Sequence, residues 1–169
     1  MRQISSVAAA GIIVCLSFAA YAEDTVYTVA RSVPFAEGSM ASADVQATCT
    51  LDTRLPEFIQ AAAKRGVKVV ISDEPLENAG GKVLRLTIVH VVGGGGGAWS
   101  GAKSVTVSGE LTENGEVIGS FTASRFSGGG AFGGFKGTCA LLGRCIKTLG
   151  KDIAGWLKNP TMHAMLGNA

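Results

Sequence analysis

The chain has 169 residues, with 15 lysines and arginines against 13 aspartates and glutamates and a net charge of +2. That length suits one domain with a core of its own. The near-balance of charge gives no basic footprint for nucleic acid and no strong pull toward acidic lipid.

The first 22 residues have the layout of an export signal. Arg2 supplies the positive start, Val7 to Ala20 is apolar, and Ala20-Tyr21-Ala22 is a small-x-small cleavage site before Glu23 and Asp24. The apolar run is short for a spanning helix. The mature chain is expected to begin at Glu23, in a bacterial periplasm or outside the cell. Cys15 follows Val14 rather than a small residue, so it belongs to the discarded segment and not to a lipid-attachment motif. Removal of Arg2 leaves the mature chain at +1, and such low charge beside 24 glycines favours assembly over solitary solubility.

Thr25 to Val33 is rich in β-formers and ends at Pro34. The small, polar stretch from Ala36 to Thr48 reads as a loop. A helix follows, with Asp52 or Thr53 as cap, Pro56 in the first turn, and Leu55, Phe58, Ile59 and Ala62 on one face. Gly66 is expected to stop it. Val67 to Ser72 is a short strand, and Lys82 to Val92 a long one. Strict alternation on the long strand puts Leu84, Leu86, Ile88, His90 and Val92 on one face.

Two alternating runs then flank Asn114-Gly115, a pair that supplies the positive φ angles of a two-residue hairpin turn. An unbroken ladder sets Leu111 opposite Ile118. Val105, Val107, Leu111 and Ile118 then share one face, and Phe121 joins Ser108, Glu110 and Thr112 on the other. A last helix runs from about Thr138 to Lys158, striped by Leu142, Ile146, Leu149, Ile153 and Trp156. Residues after Pro160 read as a loose tail.

The predicted order β-α-β-β-β-β-α implies an α+β domain over residues 23–158. Its sheet is mostly antiparallel or mixed, of about five strands, with two helices on one face. Residues 159–169 form a flexible tail in this reading.

Three cysteines remain after export: Cys49, Cys139 and Cys145. In a regular helix Cys139 and Cys145 stand about 9 Å apart along the axis and on different faces, beyond disulfide reach. The favoured reading joins Cys49 to one of the two; a helix that starts late would let the pair close a small loop instead. No C-x-x-C or zinc spacing is present.

The stretch Ser127 to Thr138, "SGGGAFGGFKGT", poses the question of nucleotide binding. Gly129 and Gly134 are spaced as in a phosphate loop, but Phe135 occupies the lysine position and Lys136 comes one residue late. The preceding strand is a hairpin arm, whereas phosphate loops follow parallel strands. Gly128, Gly130 and Gly133 also match a dinucleotide fingerprint, yet Asp152 lies inside a helix rather than at a strand end. Ser127 has no nucleophile-elbow context. Asp73, Glu74 and Glu77 read as a solvated turn. The sequence therefore points away from an enzyme and implies no cofactor. Trp99, Phe132 and Phe135, set in glycine-rich segments, are the candidate anchors for a partner or a membrane surface. A second reading, a small-ligand or metal-binding module, would use His90 or the set Met162, His163 and Met165.

Between Leu84 and Leu157 the chain carries a long apolar strand, a glycine run, the hairpin "KSVTVSGELTENGEVIGSF", "SGGG" and "ALLGRCIKTLGKDIAGWL". This half resembles a family of bacterial exported proteins and lipoproteins defined only as a domain of unknown function. The resemblance implies a fold similar to the α/β domain of the TolB amino-terminal region and of the curli secretion channel. It implies work by assembly and partner binding in the envelope, without catalytic residues or cofactor.

Overall fold

The computed structural model describes residues 24–94, 101–128 and 136–168. Among them the chain forms β1 (Thr25–Ala30), α1 (Ala43–Cys49), α2 (Leu51–Ala62), β2 (Val67–Ser72), a single 3-10 turn (Leu76–Asn78), β3 (Lys82–Val92), β4 (Lys103–Glu113), β5 (Glu116–Ser127), α3 (Thr138–Trp156) and β6 (Ala164–Gly167). The strands make one mixed sheet in the order β2-β1-β3-β4-β5-β6. β1 pairs in parallel with both β2 and β3, the β3-β4-β5 meander is antiparallel, and β6 runs parallel to β5. This is the expected α+β class.

Helices α2 and α3 lie together over one face of the sheet. Leu55 and Ile59 of α2 and Leu142, Ile146, Leu149, Ile153 and Trp156 of α3 are buried with the inward residues of the strands. The two helices approach closely because Gly150 has no side chain. A Cβ there would stand 2.7 Å from Cβ of Phe58 and 2.8 Å from its carbonyl carbon. Tyr27 crosses the core and donates its hydroxyl to the Leu157 carbonyl at 2.8 Å.

Several local expectations give way. The predicted loop before the first helix contains α1, capped by the Ser42 hydroxyl, which accepts from the Val45 amide at 3.3 Å. Only Val45 and Cys49 of α1 are buried, so its apolar periodicity is limited to one i, i+4 pair, too little to stand out in the sequence. Helix α2 starts after Thr50, in a left-handed conformation at φ 48°, rather than at a side-chain cap from Asp52 or Thr53. It ends at Ala62, before Gly66. Strand β1 stops at Ala30; the chain turns away and rejoins β3 at Phe35, where the Ile88 amide donates to Pro34 and the Ala36 amide to Ile88, each at 2.9 Å. The C-terminal residues, read as a loose tail, add β6 to the edge of the sheet.

Two bulges decide which residues face the helices. On β3 the register slips between Ile88 and His90, leaving Val89 as the extra residue. Val91 therefore enters the core, and His90 and Val92 turn to the opposite face. On β5 the slip falls at Ile118, so Leu111 pairs with Gly119 rather than with Ile118. That slip carries Phe121 and Ala123 into the core. Phe121 packs edge-on against Trp156, with ring centroids 4.9 Å apart. It also covers Gly109, its register partner, where any Cβ would collide with the ring. The turn itself is as predicted, with positive φ at Asn114 and Gly115.

Candidate functional site

The helices leave the second face of the sheet free except where the Leu76–Asn78 turn packs beside Val83 and Thr112 and buries them. With the bulges in place, the register arranges this face in cross-strand rows. From one end to the other they read Val83-Thr112-Val117, Arg85-Glu110-Ser120, Thr87-Ser108-Thr122, His90-Thr106-Ser124 and Val92-Ser104-Phe126. β6 adds Met165 beside Thr122. His163, at φ 54°, sits beside Ser120, whose hydroxyl accepts from the His163 amide at 2.9 Å.

The middle rows floor a trough of about 570 Å³, lined by Arg85, Thr87, Ser108, Glu110, Ser120, Thr122, His163 and Met165 among others. Arg85 and Glu110 are register partners and both are exposed. Arg85 nevertheless turns to Thr112, with Nη1 donating to Oγ1 at 3.2 Å. Among the described residues no ion pair joins Arg85 to Glu110. The trough thus offers a cation and an anion side by side among hydroxyls, open to solvent. Larger apolar side chains lie toward its ends.

The cysteines resolve into one bond and one thiol. Cys49 is joined to Cys139, with Cα atoms 4.8 Å apart, and Cys145 is free and buried. Both Cys139 and Cys145 lie in α3, on different sides of it. The bond ties α1 to the start of α3, beside a small cleft of about 240 Å³ lined by Val45, Cys49, Gly93, Gly94, Thr138 and Cys139 among others. The Cys145 thiol donates to the Lys103 carbonyl at 3.6 Å, and burial pushes its pKa up to about 11. It is therefore neutral and poorly nucleophilic at ordinary pH.

The other candidates scatter. Trp99, Phe132 and Phe135, together with the export signal, lie outside the described residues. The segments that hold these aromatics depart from and return to one end of the molecule: Gly94 follows β3, Gly101 precedes β4, Gly128 follows β5 and Lys136 precedes α3. Thr138 links this end across the fold by donating to the Gly94 carbonyl at 3.2 Å. Of the acidic turn, Asp73 pairs with Arg31, and that hydrogen bond holds its carboxyl below the usual range. His90 and His163 share the open face but stand in different rows on β3 and beside β6. Among the described residues no group of three or more His, Cys, Asp or Glu side chains could hold a metal ion, and no helix is long and apolar enough to cross a membrane.

Sequence reasoning missed two features. Asp152 forms a two-pronged pair with Arg125 of β5, Nε to Oδ2 at 2.7 Å and Nη2 to Oδ1 at 2.9 Å, while Arg125 also donates to Asn168 at 3.2 Å. This locks α3, β5 and the C-terminal segment together. Lys103 is the other: it is only 1% exposed, on the inward face at the start of β4.

No family model and no curated protein matches the chain. Solved structures do match. The PelC dodecamer from Paraburkholderia phytofirmans aligns at a TM-score of 0.47 and 16% identity, over 76% of this chain and 87% of that one. A PelC variant in a second crystal form gives 0.45 and 18% over the same shares. Protein XCC0632 from Xanthomonas campestris, described under DUF330, gives 0.46 and 12% over 80% of this chain and 85% of that one. The likeness to TolB and the curli channel rests on the sequence alone. At such identities and scores the overlap says nothing of what this chain binds.

Proposed function

We propose that the chain is a non-catalytic exported protein of the bacterial envelope that acts by protein–protein assembly through the open face of its sheet. One observation carries this reading. Eight large apolar side chains are exposed among the described residues, and six of them, Val26, Val70, Val92, Val117, Phe126 and Met165, stand on the face without helices. Phe126 and Met165 are 61% and 65% exposed. Apolar surface gathered on one face and rimming polar groups marks a docking surface. The parallel half of the sheet adds to this, because parallel strands are ordinarily covered on both faces, whereas Val26 and Val70 on β1 and β2 remain partly exposed.

Trp99, Phe132 and Phe135 belong to the same proposal. The described residues that flank their segments lie at the end of the sheet that carries Val92 and Phe126. The Cys49–Cys139 bond suits the oxidising compartment that the export signal predicts.

The test replaces Val92 and Phe126 together with serine. Light scattering then reads the mass, and an immobilised chain reads retention of envelope proteins. The double variant is expected to keep its thermal transition and to lose self-association or partner retention. Unchanged mass together with an unchanged set of retained proteins would overturn the reading.

A further inference from the structure

The sheet is split beside β3, and the split forms a recessed slot. We infer that this slot binds a short, uncharged peptide with an aliphatic side chain, one residue of which pairs with the backbone of Leu86. The inference does not rest on the docking face proposed above, whose rim at Val92 lies at the other end of β3.

The ladder between β1 and β3 runs only as far as Val29 and Leu84, and the chain rejoins β3 where Phe35 meets Ile88. From Val29 to Phe35 the chain takes six steps, while β3 takes four from Leu84 to Ile88, so two residues are in excess. Bonds to β2 and α2 draw the excess away from β3. The Arg31 amide donates to the Ser72 carbonyl at 3.0 Å, the Val33 amide to the Asp52 carbonyl at 3.2 Å, and the Ser32 hydroxyl to the Asp52 carboxylate at 2.8 Å. Ser32, which an unbroken ladder would set against the Leu86 carbonyl, is held at α2 instead.

Leu86 is left facing the split. The Ile88 amide and carbonyl both bond the returning segment at 2.9 Å, and no bulge lies between Leu86 and Ile88. Backbone groups alternate sides along a strand, so the Leu86 amide and carbonyl point the same way as those of Ile88. Among the described residues no backbone bond from the loop reaches either group, although Leu86 is only 7% exposed. A donor and an acceptor on one buried residue match the acceptor and donor of one extended peptide residue. The slot beside them measures about 310 Å³, and Val33, Pro34, Leu76 and Leu84 are among the residues that line it. That volume is at the lower end for small-ligand sites, which are mostly apolar with a few fixed polar groups. It suits one aliphatic side chain with its two flanking amides. Arg85 and Glu77 also line the slot, and their opposite charges favour a ligand without net charge.

Acetyl-leucine methylamide carries one residue and both flanking amides, and it is the probe for the purified, exported chain. In amide-correlation NMR it should move the Leu86 amide proton downfield and saturate at millimolar concentration. Its ester analogue, with oxygen in place of the leucine N–H, cannot donate to the Leu86 carbonyl. That analogue should bind about threefold to tenfold more weakly, the loss of one net hydrogen bond. Leu76→Ser removes an apolar wall and should weaken binding at least about threefold. Ala30→Leu fills the slot from β1 and should abolish binding. Both variants are expected to keep the thermal transition, and the ester comparison uses the wild-type chain and stands whether or not they fold. An unmoved Leu86 amide would overturn the inference. So would equal affinity for the amide and the ester, or unchanged binding by both folded variants.

Discussion

Gly109 shows how a single missing side chain sets the core. It lies across from Phe121, and the ring occupies the space a Cβ would need. Phe121 in turn braces Trp156, so the contact joins the hairpin to the last helix. Gly109→Ala should displace the ring and cost about 1–3 kcal/mol, the range for overpacking. A lower urea midpoint with an unchanged slope would register it. If the midpoint holds, the ring has room to move and the contact is not tight. The glycine is visible in the sequence, yet its reason is not, because an unbroken ladder pairs Gly109 with Ser120.

At the scale of elements, the bulge on β5 could have been read in advance. The apolar residues Val105, Val107 and Leu111 are odd-numbered, and so are Phe121 and Ala123. A two-residue turn at Asn114-Gly115 pairs odd positions with even ones, so one arm must hold an extra residue for both sets to face the helices. The bulge on β3 left no such mark, since Ile88 to Val92 is nearly all apolar and an apolar run carries no phase. Strand β6 was missed for a different reason. Four residues between turns show little pattern, and β6 is held by Arg125, which grips Asp152 and Asn168 from the neighbouring strand. Asp152→Asn should weaken that grip and cost about 1 kcal/mol, as for a partly shielded two-pronged pair. Amide exchange at residues 164–167 should quicken more than elsewhere. Uniform protection across the sheet would show that β6 stands without the clamp.

For the whole molecule, the Cys49–Cys139 bond spans 90 positions. Closing so long a loop in the unfolded chain is worth about 4.6 kcal/mol on the chain-entropy account. Cys139→Ser should lower the unfolding free energy by about that amount in urea. A change under about 1 kcal/mol would mean that the unfolded chain already keeps those segments together. The favoured sequence reading had Cys49 bonded to one of the two later cysteines. The choice of Cys139 required knowing that α1 exists and lies against the first turn of α3.

The sequence by itself determined the α+β class, the hairpin turn, the stripe of α3, the presence of β1 and β2, and the inward residues of the first half of β3. These follow from local chemistry: positive φ at Asn-Gly, a period of two in strands and of 3.6 in helices. Tertiary structure alone decided the direction of β1 and β2, the face that His90 and Val92 present, the partner of Cys49 and the place of β6. It also brought Arg85 and Glu110 into one row, and gathered Val26, Val70, Val92, Val117, Phe126 and Met165 on one open face. Each of these depends on which distant segment lies alongside. No periodicity within one element contains that information, because register is set where two strands meet and not within either of them.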